Sequence, residues 1–193
     1  MLSISNDEAV EIGDRIMAAA ASCVRDFGLE RVTLAEIARR AGVSRPTVYR
    51  RWPDTRTIVA SLLTERITGT WRAVPATQPG RTGLVERIVE VARRLRDDEL
   101  ITSVLRSAPD LAMTYIAGRL GTSQQIVIDL LVDALREAQA DGSVRAGDVR
   151  QMSAMVLLIS QSAIQSAPIV EPILDADALS AELSHALNGY LAP

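Results

Sequence analysis

The side chains best suited to recognition chemistry stand within seven residues of one another: Arg45, Thr47, Tyr49, Arg50 and Arg51. A guanidinium presents a rigid fork of donors that matches the edge of guanine and the oxygens of a phosphate. Pro46 and the methyl of Thr47 suit apolar contact with a thymine methyl. Chemistry of the catalytic kind is poorly supplied. The sole histidine, His185, lies beside Ser184 in a helical stretch, where adjacent residues do not face each other. Gly118 and Gly121 do not make a phosphate loop, because no strand precedes them and no Gly-Lys-Ser/Thr follows. The run Asp97-Asp98-Glu99 reads as an acidic helix end. The sequence offers no catalytic set, no metal-ligand spacing and no cofactor motif.

The elements that must hold the five recognition residues can be read from Thr33 to Trp52, TLAEIARRAGVSRPTVYRRW. Thr33 followed by Glu36 has the spacing of a capping box, which satisfies amides at a helix start from both sides. Ile37 and Ala38 give that helix its apolar face. Gly42 permits the left-handed backbone of a tight turn. Ser44 is a second N-cap, and Pro46 falls in a first turn, where its missing N–H costs little. Val48 and Trp52, four apart, form the inward stripe of the second helix. Pro46, Thr47 and Arg50 then point outward, flanked by Arg45, Tyr49 and Arg51. A short helix, a glycine turn and a second short helix with basic outward positions is the arrangement that enters a major groove.

Charge is segregated in the same sense. The whole chain carries a formal net charge of −3. From Arg31 to Arg56, however, seven Arg stand against Glu36 and Asp54, a net of +5, while Thr57 to the end carries a net of −4. A basic head on an acidic body is the footprint of a local phosphate-binding surface. All 21 basic residues are Arg, including those on faces far from any reading surface, so codon bias explains the absence of Lys more simply than function does. The one cysteine, Cys23, lies on an apolar stripe and reads as a buried structural thiol. The N-terminus is acidic and lacks the pattern of a signal peptide. The most apolar stretch, Met152 to Ile164, is shorter than the ~20 residues of a membrane span and contains Ser and Gln. A soluble cytoplasmic protein is expected.

Every strong periodicity along the chain is helical, which predicts an all-α fold. Asn6 or Asp7 is expected to cap a first helix with Ile12, Ile16, Ala20, Cys23 and Phe27 on one face, stopped by Gly28. After the two short helices, Asp54 caps a longer one carrying Val59, Leu63, Ile67 and Trp71. Val74 to Thr82 is the clearest loop. Leu84, Ile88, Val91 and Leu95 mark the next helix, and 100–120 is helical with interruptions at Pro109 and Gly118. Thr122 to Ala140 forms a long amphipathic helix. Asp148 to Ala167 is apolar on nearly all sides, so burial is expected inside the fold or against another subunit. A final helix carries Leu179, Leu183, Ala186, Leu187 and Tyr190.

The segment Ile12 to Leu63 resembles the DNA-binding domain of the TetR family of bacterial transcriptional regulators. The residues carrying the resemblance are Phe27-Gly28, Thr33-Leu34-Ala35-Glu36-Ile37-Ala38, Ala41-Gly42-Val43-Ser44, Thr47-Val48-Tyr49 and Trp52. The rest of the chain agrees with the family only in being helical and of the usual size. The resemblance implies a three-helix head with a helix-turn-helix, here residues 1–53. It also implies a larger helical ligand-binding and dimerisation body, 54–193, reached through a fourth, linking helix. Family members carry Lys three residues after the aromatic of the second helix, where it touches phosphate. Here that position is Thr55, and Arg56 follows it, so either residue takes the contact.

The expected site follows from both readings. Arg45 and Arg50 are placed as base readers, with phosphate contact as the alternative role. Pro46 and Thr47 face thymine methyls. Tyr49 is a phosphate contact by resemblance, Arg51 a backbone contact, and Thr33 and Ser44 are caps whose helix N-termini also offer amides to phosphate. Arg39 and Arg40 are peripheral or merely solvated. In the body, the resemblance implies a small-molecule site whose ligand shifts the linking helix and spoils the match of two heads to grooves ~34 Å apart. Trp71, Met113, Tyr115 and Gln124 are the candidate lining, and scarce buried charge suggests an apolar ligand. The expected partners are a double-stranded operator and a second copy, joined through the two C-terminal helices, about 148–167 and 176–191. A DNA-binding regulator controlled by a protein partner, with no small-molecule pocket, is the competing reading.

Overall fold

Helices account for all the regular structure in the computed structural model, which describes residues 3–107 and 120–193; nine α-helices and one 3₁₀ turn are present among them. Among the described residues the fold is all-α. It divides into two compact units, one of residues 1–65 and 99–119, the other of 66–98 and 120–193.

In the first unit, α1 spans Ser3–Phe27. It starts ahead of the caps expected at Asn6 or Asp7, since nothing between Ser3 and Asp7 breaks a helix. Gly28 ends it with a φ of 70°, and a 3₁₀ turn, Leu29–Arg31, leads into α2, Leu34–Ala41. The Thr33 hydroxyl accepts from the Glu36 amide at 3.2 Å, giving half of the capping box. The other half is missing because Arg39 and Arg40 claim the Glu36 carboxylate. Gly42, at φ 67°, makes the left-handed turn into α3, Arg45–Arg51, whose N-cap Ser44 accepts from the Thr47 amide at 3.3 Å. Asp54 caps α4, Thr55–Ala73, through the amide and hydroxyl of Thr57 at 2.7 and 2.8 Å. Those two donors also hold the Asp54 carboxyl below its usual range.

The core of this unit is built from Ile16, Cys23, Val24, Ile37, Val48 and Ile58, all fully buried. Burial pushes the Cys23 thiol up, as suits an inert core group. Phe27 departs from expectation: it is partly exposed, with the Arg40 guanidinium 5.0 Å above its ring. Helix α6, Glu99–Ser107, joins from far along the chain and adds Leu100 and Val104 to the core. Ser103 anchors it by donating to the Val24 carbonyl at 3.2 Å. Because the Thr33 side chain caps α2, Thr33→Ala is expected to cost ~1 kcal/mol of stability. A denaturant titration checks this, and an unshifted midpoint would show that the cap is dispensable.

The second unit contains the end of α4 and four further helices: α5 Gly80–Arg96, α7 Thr122–Ala140, α8 Val149–Val170 and α9 Ala176–Leu191. Val85, Leu135, Met152, Val156, Leu187 and Leu191 fill its interior. The loop before α5 closes at Pro79, three residues sooner than the expected end at Thr82. Helix α8 continues through Pro168 rather than stopping before it. Proline there removes the amide that would reach the Ile164 carbonyl, but the helix closes behind it, with the Glu171 amide reaching the Ala167 carbonyl at 3.0 Å. The 22 residues of α8 are long and apolar enough to cross a membrane by composition alone. Its Met152, Ser153, Val156, Leu157 and Ala167 are instead packed within the unit. Helix α8 is thus not buried all round: Met155 is 42% and Leu158 54% exposed.

Candidate nucleic-acid interface

Helix α3 has seven residues and buries one of them, Val48. Three kinds of contact fix it. Val48 seats in the core, Trp52 packs against the same cluster, and the indole Nε1 of Trp52 donates to Ser61 Oγ of α4 at 3.0 Å. Ser61 in turn donates to the Thr57 carbonyl at 3.1 Å. The end of α3 is therefore tied to the first two turns of α4, where Thr55 is half-buried and Arg56 exposed.

With Val48 inward, Arg45, Pro46, Tyr49 and Arg50 are all exposed. Tyr49 is 51% exposed, so its ring is no core element. Thr47 is half-buried, and its hydroxyl is 2.7 Å from that of Ser44, within hydrogen-bond reach across the helix start. Among the described residues, Arg45, Arg50 and Arg56 have no ion pair within the protein. Arg39 is different: it makes a bidentate pair with Glu36 at 2.8 and 2.7 Å. Arg40 donates to Asp26 and, at 2.7 Å, to Ser22 Oγ, which pins α2 to α1. Neither is simply solvated. Their positive charge is partly offset locally, whereas Arg45, Arg50 and Arg56 keep theirs open to a ligand.

Residues the sequence reading did not single out complete the scaffold. Arg15 of α1 donates to the carbonyls of Ala41 and Gly42 at 3.2 and 3.4 Å, closing the turn between the two short helices. Arg51 lies against Gly13 of α1. A glycine inside a helical pattern is the signal that would have pointed to such a contact.

In the second unit, Trp71 is buried beneath Arg87, whose guanidinium sits 4.0 Å from its ring and donates to its carbonyl at 2.7 Å. Burial pulls the Arg87 pKa down. Gln124 is also buried: its Oε1 accepts from the Gly121 amide at 2.8 Å and its Nε2 donates to Gln161 at 2.7 Å. Met113 and Tyr115 lie outside the described residues. A shallow pocket between α5, α8 and α9, lined by Ala92, Arg96, Ala163, Ile164, Leu179 and Leu183, includes neither Trp71 nor Gln124. Among the described residues, no three His, Cys, Asp or Glu side chains converge as metal ligands; His185 is exposed on α9.

Residues 16–62 match the model of the bacterial regulatory proteins of the tetR family. An HTH-type transcriptional regulator of Mycobacterium bovis is 62% identical over 191 residues, 99% of this chain and 100% of the relative. The chain belongs to the TetR family. Two solved structures share its fold. The TetR-family transcriptional repressor QsdR of R. erythropolis superposes with a TM-score of 0.70 at 18% identity, covering 95% of this chain and 97% of that one. The TetR-family repressor AlkX of a Dietzia strain, implicated in biodegradation of n-alkanes, gives 0.69 at 24% identity over 91% and 92%. TetR-family members are transcriptional regulators and not enzymes, and this chain is a DNA-binding regulator with a helix-turn-helix head.

Proposed function

We propose that the protein is a homodimeric repressor that binds an inverted-repeat operator and is released by a small apolar molecule. The observation carrying the DNA-binding part is α3 itself: Arg45 and Arg50 stand exposed, with no ion pair among the described residues, on a helix that Val48 seats in the core. Arg45 and Arg50 read base edges, with Pro46 and Thr47 against thymine methyls. Tyr49, Arg56 and Thr55 contact phosphate, and the helix N-termini at Thr33 and Ser44 offer amides to the backbone. In this division of labour residues 1–53 form the reading head and 54–193 the regulatory body, and the protein works in the cytoplasm. The dimer reading draws on α8, where Met155 and Leu158 are exposed one helical turn apart and Ile169 is 79% exposed near the end of the helix. An apolar strip of that kind is seldom left open to water.

Repression is supported by the naming of QsdR and AlkX as repressors, and an apolar ligand by the alkane context of AlkX. Release follows from linkage: a molecule that binds the DNA-incompetent state more tightly must lower operator affinity by the same factor. The test is a thermal-shift screen of small apolar compounds, each hit then titrated into the preformed protein–DNA complex. A compound that raises Tm and dissociates the complex is the expected result. Stabilising compounds that leave DNA bound, or a screen with no stabilising compound, would favour control by a partner protein.

A further inference from the structure

Gly13 occupies the interior of α1, where glycine weakens a helix, and it is buried. Its surroundings explain why a larger residue is absent. A Cβ built on Gly13 would fall 2.5 Å from Nη1 of Arg51, the last residue of α3. The guanidinium of Arg51 therefore crosses the bare backbone of α1 at this point. Two residues further along α1, Arg15 holds the carbonyls of Ala41 and Gly42, just ahead of α3. The same helix thus grips the recognition element before its start and at its end.

Helix α3 needs such support. Two turns of helix are marginal on their own; Val48 is the one buried residue of α3, and Trp52 anchors only its C-terminal end, which leaves the helix able to roll about its axis. A small roll would displace the tips of Arg45 and Arg50 by more than a bidentate hydrogen bond tolerates. We infer that Gly13 is a notch that seats Arg51, and that Arg51 serves DNA recognition as a positioning residue, clamping α3 to α1 together with Arg15. Arg51 acts through the orientation of α3 and not through a phosphate of its own. This inference rests on the DNA-binding reading of the head.

Gly13→Ala tests it cleanly, because only the far end of a flexible side chain stands where the methyl would go. The fold absorbs the change by displacing Arg51, and α1 gains a better helix former. The expected result is an unchanged or higher Tm with operator affinity reduced about tenfold, the scale of one lost charged hydrogen bond. Arg51→Ala should show a similar loss with the salt dependence of binding unchanged, since no phosphate contact disappears. The double variant should be no weaker than Arg51→Ala alone, because both changes remove one interaction. The probe is full-length protein with the duplex that wild type selects from random DNA. Wild-type affinity in Gly13→Ala would overturn the notch, as would losses that add in the double variant. A Tm that falls in step with affinity would make Gly13 merely structural. A salt slope lower by about one in Arg51→Ala would make Arg51 a phosphate contact. A wild-type protein that binds no duplex would instead overturn the DNA-binding reading, and the inference with it.

Discussion

Arg50→Ala is expected to weaken operator binding by ~1–3 kcal/mol for each half-site, between about fivefold and somewhat over a hundredfold, and to relax selectivity at one base pair. The reasoning rests on where Arg50 stands. It is exposed on α3 and has no ion pair among the described residues, so its removal breaks nothing within the fold. Thermal stability should stay within the range of ordinary surface changes, about 0.5 kcal/mol. Fluorescence anisotropy against the selected operator and against a scrambled duplex separates the two roles open to this arginine. A base reader loses affinity for the operator while non-specific binding hardly moves, so the specificity ratio collapses. A phosphate contact loses affinity for both duplexes equally, and the salt slope falls by about one per head. The second pattern would remove Arg50 from the readers and leave Arg45 as the principal candidate.

A larger effect is expected from Leu158→Arg on α8. Leu158 is 54% exposed within the chain, so an arginine there is tolerated by the fold. In the proposed dimer through α8, the same arginine brings an unpaired charge into a desolvated apolar contact. Light scattering should therefore show a monomer at micromolar concentration where wild type is a dimer. Operator affinity should fall by about 10² or more, because each head then binds one half-site without the effective concentration supplied by its twin. A variant that stays dimeric with full affinity would move the interface off this face of α8. A wild-type monomer would remove the dimer altogether.

The helix-turn-helix was legible because its determinants are local. Thr33, Gly42, Ser44 and Pro46 each have a conformational reason to stand where they do, and those reasons operate within three or four residues. Cys23 and Val48 were legible from periodicity alone. What the sequence concealed is non-local. Glu36 was expected to complete a capping box, but Arg39 and Arg40 compete for its carboxylate with full charges. Arg40 was read as surface because its partners, Ser22 and Asp26, lie a helix away. Nothing in the pattern of α6 announces that Leu100 and Val104 belong to the core around Ile16 and Ile37. Helix α8 runs past Pro168 at the cost of one backbone hydrogen bond, because hydrogen bonds beyond it, such as Glu171 N–H to the Ala167 carbonyl, still close the turn. A ligand site is hard to read from sequence for a related reason. Trp71 sits in an apolar helical stripe and Gln124 is a polar residue satisfied by Gly121 and Gln161, and both are buried whether they line a cavity or fill a core.

The most direct test of a dimeric, sequence-specific regulator is selection of bound duplexes from random DNA by the purified full-length protein without added ligand. The expected result is an enriched inverted repeat with guanines at matching positions in both halves and half-site centres one helical turn, or a whole multiple of it, apart. Loss of the enriched guanine in a parallel selection with Arg50→Ala would tie that base to its reader. Retention of duplexes without any enriched sequence, bound equally well by the variant, would contradict specific recognition by α3.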